Sequence, residues 1–175
     1  MARRTGVELD SFTPGGPISE VVENEKGGLT MVIGPPRFLR AKKLLRDGDP
    51  AAAVSAAQAA SEAHVRRVVE DLMVLARCEK ITFKRRPSFA FHRKNKELLG
   101  WYERLSGDRS HRSQAFWTSG RLTRHMTRRH LITHEGHICS RTEARQSIDV
   151  LGELAEHLEG VVGALKTKSQ PTGEG

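Results

Sequence analysis

Between Ile148 and Leu165, the residues Ile148, Leu151, Leu154, Ala155, Leu158, Val161, Val162 and Leu165 recur at steps of three and four. That spacing lines them up along one stripe of an α-helix. A stripe this long must be buried, so the rest of the chain has to supply a matching surface. Residues 51–77 offer one. They are dominated by helix formers, and Val65, Val68, Val69, Leu72 and Ala76 repeat at the same interval. Asp49 is placed to cap this helix, and Pro50 falls at its first position, where the missing N–H costs nothing. The alanines between Ala51 and Ala60 leave a thin end that suits close approach of a neighbour.

Shorter helices fill the intervals. Residues 37–46 read as one, ended by Asp47-Gly48-Asp49. Residues 94–105 read as another, with Trp101 and Leu105 turned inward and Ser106-Gly107-Asp108 as its stop. A further helix is predicted over residues 113–134, ending near Gly136, where glycine suits a helix C-terminus. The closing helix covers residues 141–166, with Ser140 or Thr142 as its cap. The expected fold is all-α, an antiparallel bundle of four to five helices over residues 37–168, because short loops favour antiparallel neighbours. Residues 1–36 read as an irregular N-terminal extension broken by Gly15-Gly16-Pro17, Gly27-Gly28 and Gly34-Pro35-Pro36. Leu29 to Ile33 has the composition of one short strand. Residues 169–175 are expected to be a disordered tail.

The net charge of +8 is unevenly placed. Residues 77–96 carry eight Lys and Arg against Glu79 alone, and residues 109–145 carry eight Arg against Glu135 and Glu143. Two basic stretches on an otherwise acidic chain favour a polyanion partner, since each phosphate contact releases counterions. Lys84, Arg85, Arg86 and Arg93 are the expected RNA contacts; Phe83, Phe89 and Phe91 among them read as loop anchors to the core. No apolar run reaches 18 residues, so no membrane partner is expected. The N-terminus has no apolar stretch like that of a secretory signal. Cys78 and Cys139 lie far apart and read as small hydrophobes. A cytoplasmic setting is the expectation.

Chemistry concentrates in Arg128-Arg129-His130-Leu131-Ile132-Thr133-His134. Three readings compete. His130 and His134 share a helix face and could ligate zinc, but no Asp or Cys is set to complete a tetrahedral site, so no metal is expected. The segment could be a solvated basic surface, the natural reading for Arg124 and His125. Or it could act on phosphodiesters, because arginine offers a fixed donor fork to phosphate and histidine can exchange protons near neutral pH. Five residues along a helix turn the side-chain direction by about 140°, so Arg129 and His134 do not share a face automatically. Unwinding before Gly136, or a second copy meeting across a two-fold axis, would bring them together.

The segment resembles the signature of the HEPN superfamily (higher eukaryotes and prokaryotes nucleotide-binding). That motif has an arginine, usually followed by Asn, Asp or His, and a histidine after four to six intervening residues. Arg129, His130 and His134 fit it. The stretch from Asp47 through Glu62 resembles the family's alanine-rich first long helix, and the motif lies ahead of an amphipathic closing helix. The likeness covers roughly residues 38–165. Residues 1–36 have no counterpart, and the connection over 80–112 is longer and more basic than a minimal version.

The resemblance implies a homodimeric, metal-independent ribonuclease with a composite active site and no cofactor. His134 would act as general base on a ribose 2′-hydroxyl, and Arg129 would stabilise charge at phosphorus. His130 and Arg128 would orient the phosphate, and Glu62 would orient Arg129 or His134 from the facing helix. The products would be 2′,3′-cyclic phosphate ends. Such proteins often act as toxins or in phage defence, sometimes silenced by an antitoxin or regulatory protein. Two alternatives stay open: a non-catalytic nucleic-acid or nucleotide-binding module, and a helical interaction protein with merely solvated arginines.

Overall fold

The computed structural model describes residues 19–23, 29–33, 38–79, 88–92, 94–112 and 119–169. The chain divides into two compact units, Met1–Pro36 and Arg37–Gly175. In the first, β1 (Ser19–Glu23) pairs antiparallel with β2 (Leu29–Ile33), with Ser19 opposite Ile33 and Glu23 opposite Leu29. The strand expected at Leu29–Ile33 is present, and it is not alone. Its partner escaped notice because Ser19-Glu20-Val21-Val22-Glu23 is too short and too acidic to advertise a strand.

The second unit is all-α. Its described elements are α1 (Leu39–Arg46), α2 (Pro50–Leu75), α3 (Lys96–Ser106), a 3₁₀ turn at Ser110–Arg112, α4 (Arg121–Glu135) and α5 (Arg141–Ser169). Local chemistry sets most of the ends. Asp49 Oδ1 accepts from the Ala52 N–H at 2.9 Å, ahead of Pro50. Asn95 Oδ1 caps α3 through the Leu98 N–H at 3.4 Å. Ser140 and Glu143 form a reciprocal capping box at the start of α5: Glu143 Oε2 accepts from the Ser140 N–H at 2.9 Å, and Ser140 Oγ from the Glu143 N–H at 3.2 Å. Gly136 closes α4 in the left-handed region, at φ 66°, a conformation that costs glycine little. Arg77 takes the equivalent place after α2 at φ 50°, and the Cys78 N–H bonds Met73 O at 2.8 Å.

The core sits between α2 and α5. Val54, Val65, Leu72, Leu98, Tyr102 and Leu158 are each fully buried within it. The alanine-rich end of α2 behaves as its composition suggests, with Ala53 and Ala57 wholly buried. The two helices run in the same direction: His64 meets Ala155, Arg67 meets Glu159 and Asp71 meets Lys166. The adjacent pair α4 and α5 is antiparallel, with Arg121 against Glu153 and Arg128 against Gln146 and Ser147. Short loops fix the direction only of sequential neighbours. α2 and α5 are separated by two helices, so the loop rule does not reach them.

α3 buries Leu98, Leu99 and Tyr102. Leu105 packs against the core as expected, but Trp101 sits at the rim under the Arg104 guanidinium, 4.6 Å from its ring centroid. Phe91 anchors the preceding connection, edge-on to Tyr102 at 5.1 Å, and Phe89 lies beneath Arg66. Phe83 lies outside the described residues. Cys139 is buried, as a small hydrophobe would be. Among the described residues no helix is long and apolar enough to cross a membrane.

Candidate functional site

α4 divides its polar residues between two faces. Its inner face buries Leu122 and, unexpectedly, His125, which is 1% exposed. The solvated position expected for His125 is therefore corrected. The side chain lies on the same side of the helix as Leu122 and Ile132, and α2 supplies it with a polar partner. Gln58 Nε2 donates to Glu62 Oε1 at 2.6 Å, which leaves Gln58 Oε1 to accept from His125 Nε2–H at 2.7 Å. That fixes the tautomer and turns Nδ1 into a buried acceptor with no hydrogen-bond partner. Burial first, then the Arg128 and Arg129 charges, push the His125 pKa down to about 4. The ring is neutral near pH 7.

Arg128 also points inward. Its guanidinium donates to Ser147 Oγ at 2.6 Å and to Gln146 Oε1 at 3.2 Å. Its buried Nε lies 3.7 Å from Glu143 Oε1 and makes no hydrogen bond. His137 Nε2 approaches the same Glu143 oxygen at 3.7 Å. The Glu143 carboxyl is held below its usual range, first by hydrogen bonds from Ser140 and then by Arg128 and His137. Arg128, read from sequence as orienting phosphate, is committed in this arrangement to α5.

The other motif residues reach solvent. Arg129, His130 and His134 are all exposed. The imidazoles of His130 and His134 are in contact, with ring centroids 4.7 Å apart, and His130 Nε2 lies 3.8 Å from Glu135 Oε1. Arg124 and Arg129 form no ion pair among the described residues, so both cations face solvent uncompensated. α4 stays regular to Glu135, without unwinding before Gly136. Arg129 and His134 therefore leave one helix about 140° apart. Within a single chain the structure brings His130 to His134 but does not bring Arg129 to His134.

Glu62 reaches neither of them. It binds Gln58 and through it His125, so it contacts the motif helix at its buried side. Lys84, Arg85, Arg86 and Arg93, the expected RNA contacts, lie outside the described residues. No group of three His, Cys, Asp or Glu able to hold a metal occurs among the described residues.

Two features were missed in the sequence. One is a polar cluster joining α3, the 3₁₀ turn and α5. Asp108 Oδ2 accepts from Tyr102 OH at 2.6 Å and Ser110 Oγ at 2.8 Å, and lies 2.9 Å from His157 Nε2. Burial pushes the Asp108 carboxyl up, but the hydrogen bonds from Tyr102, Ser110 and His157 outweigh it and hold the pKa near 2. Burial, then Asp108, raise the Tyr102 phenol above its ordinary value. Ser110 Oγ and Asp108 both sit on His157 Nε2, at 3.0 and 2.9 Å. With both on one ring nitrogen, the cluster acts as a staple between α3, the 3₁₀ turn and α5.

The other feature is a groove of about 280 Å³ beside α4, lined by His92, Lys94, Thr123, Met126, Thr127 and His130. The spacing of Thr123, Thr127 and His130 on one helix face was the signal available for it.

No protein-family model, no curated protein and no solved structure matches this chain.

Proposed function

We propose that the protein is a metal-independent endoribonuclease of the HEPN type. It would cleave RNA by attack of a ribose 2′-hydroxyl, leaving 2′,3′-cyclic phosphate ends, in a toxin–antitoxin or phage-defence setting. The observation that carries this reading is the division of α4. His125 and Arg128 are consumed by packing, while Arg129, His130 and His134 stand in solvent beside them. A helix surface needs no exposed imidazole pair beside an exposed guanidinium to be stable, whereas phosphodiester cleavage needs a proton acceptor and a charge stabiliser.

In this reading His134 takes the 2′-hydroxyl proton, Arg129 neutralises charge on the five-coordinate phosphorus, and His130 orients the phosphate. The substrate supplies its own nucleophile, so positioning does much of the work. The divergence of Arg129 and His134 favours a composite site in a homodimer, where Arg129 of one copy meets His134 of the other. An antitoxin or regulatory protein would act by covering this face.

The same divergence favours a second reading, a non-catalytic nucleic-acid or nucleotide-binding module, if the chain works alone. Turnover and binding of a labelled RNA separate the two. The ribonuclease reading expects His134→Ala to cut turnover by about 10²-fold or more at unchanged RNA affinity. RNA binding without turnover in the parent protein, weakened alike by Arg129→Ala and His134→Ala, would establish the binding module instead.

A further inference from the structure

The groove beside α4 opens onto the motif. Thr123, Thr127, His130 and His134 fall within about 60° of one another around the helix axis, so they form one continuous track. The first three line the groove, and His134 touches His130 at its end. The opposite wall is His92 and Lys94, from the connection ahead of α3. Each group has a chemical use. Met126 is half-buried and offers a polarizable apolar surface, to which a flat ring can adapt. His92 is half-buried as well, and burial first, then Lys94, lower its pKa, which favours the neutral ring. A neutral imidazole can stack on a base and can both donate and accept hydrogen bonds. Lys94 is an exposed cation, and Thr123 and Thr127, both exposed, line the same space.

The volume limits the occupant. About 280 Å³ is close to the lower bound of ligand sites and gives room for a single base and its sugar. The mixture also argues against a simple anion patch, which would need cations and hydroxyls but neither Met126 nor a neutral ring.

We infer that this groove is a nucleoside subsite for single-stranded RNA. The base lies against Met126 and His92, the ribose lies along Thr123 and Thr127, and the phosphate is directed by Lys94 towards His130 and His134. The inference deepens the ribonuclease reading and rests on it for the identity of the polymer. It places one recognised nucleotide next to the scissile phosphate and makes base stacking, rather than the net charge alone, a source of affinity.

The test uses the full chain labelled with ¹³C at its methionine methyls, titrated with adenosine 3′-monophosphate and, separately, with inorganic phosphate. The subsite expects a saturable shift of the Met126 methyl by the nucleotide, an unmoved Met73 methyl, and no comparable effect of phosphate. His92→Ala should raise the midpoint about tenfold. Thr127→Val should raise it as well, and its exposed position keeps the test open should His92→Ala fail to fold. A Met126 signal that the nucleotide leaves unmoved, or that phosphate moves equally, would overturn the subsite. RNA cleavage assayed on the same samples keeps the two readings apart. Cleavage with an unmoved Met126 removes the subsite and leaves the nuclease, whereas a nucleotide-specific Met126 shift without cleavage keeps the subsite and removes the nuclease.

Discussion

α5 and α4 are neighbours in sequence and are held in place by different physics. α5 buries Ile148, Leu151, Leu154, Ala155, Leu158 and Val162, an apolar seam that packs chiefly on α2. α4 buries one aliphatic side chain, Leu122, and is otherwise tied down by His125 to Gln58, Arg128 to Ser147 and Gln146, and Arg121 to Glu153. Apolar burial is non-directional and tolerates small displacements. Hydrogen bonds to buried groups are directional, net weak, and costly to leave unmade. The scaffold helix is thus robust in its position, while the motif helix has its orientation dictated by two or three contacts. Those contacts hold Arg129, His130 and His134 outward by committing His125 and Arg128 inward.

Four expected outcomes bear on this contrast, the largest first. Leu158→Ala removes a fully buried side chain from the apolar seam and should cost about 2–5 kcal/mol of global stability, measured by urea unfolding. A much smaller loss would mean the seam is not the main support. The second concerns pH. Folded His125 titrates near 4 against an ordinary 6.5, so the folded state binds fewer protons between those values. Its contribution is complete above about 6.5 and is lost as pH falls through about 4. The size is on the order of 3 kcal/mol, and a His125→Gln variant should lack this slope. Asp108 titrates lower in the folded chain, near 2 against 3.8, so the staple contributes above about 3.8 and gives way only as pH falls through about 2. Two separate acid windows would distinguish the motif helix from the staple; a single one would merge them.

Third, Gln58→Leu leaves the His125 N–H buried without its acceptor and should cost about 1–3 kcal/mol. Hydrogen exchange should quicken in α4 and leave the α2–α5 seam largely protected. Uniform loosening would contradict the division drawn here. The smallest effect is a gain. Arg77 occupies the left-handed region at the end of α2, so Arg77→Gly should add about 0.5–1 kcal/mol by relieving that backbone. Thermal unfolding would register it without change in either region.

What could be read from the sequence follows the same line. Asp49 before Pro50, Gly107 and Gly136 after their helices, and Ser140 three residues before Glu143 are local signals, and each acts as its chemistry requires. The apolar stripes of α2 and α5 were legible because burial imposes a period. Long-range polar pairing imposes none. Gln58 and His125 are 67 residues apart, and nothing in either neighbourhood announces the other. Asp108 and His157, 49 apart, are equally silent. The parallel course of α2 and α5 escaped for a related reason, since direction is inherited through two intervening helices rather than written in either one. For the candidate site, Arg129, His130 and His134 stood out as residues. That two of the three touch, and that the third points elsewhere, is a property of the uninterrupted helix.

The most direct test incubates the purified chain with mixed RNA in EDTA beside a His134→Ala control and identifies the new termini. The account expects cleavage in the parent protein, 2′,3′-cyclic phosphate ends, and loss of both in the variant. Cleavage that EDTA abolishes, or that His134→Ala leaves intact, would contradict it.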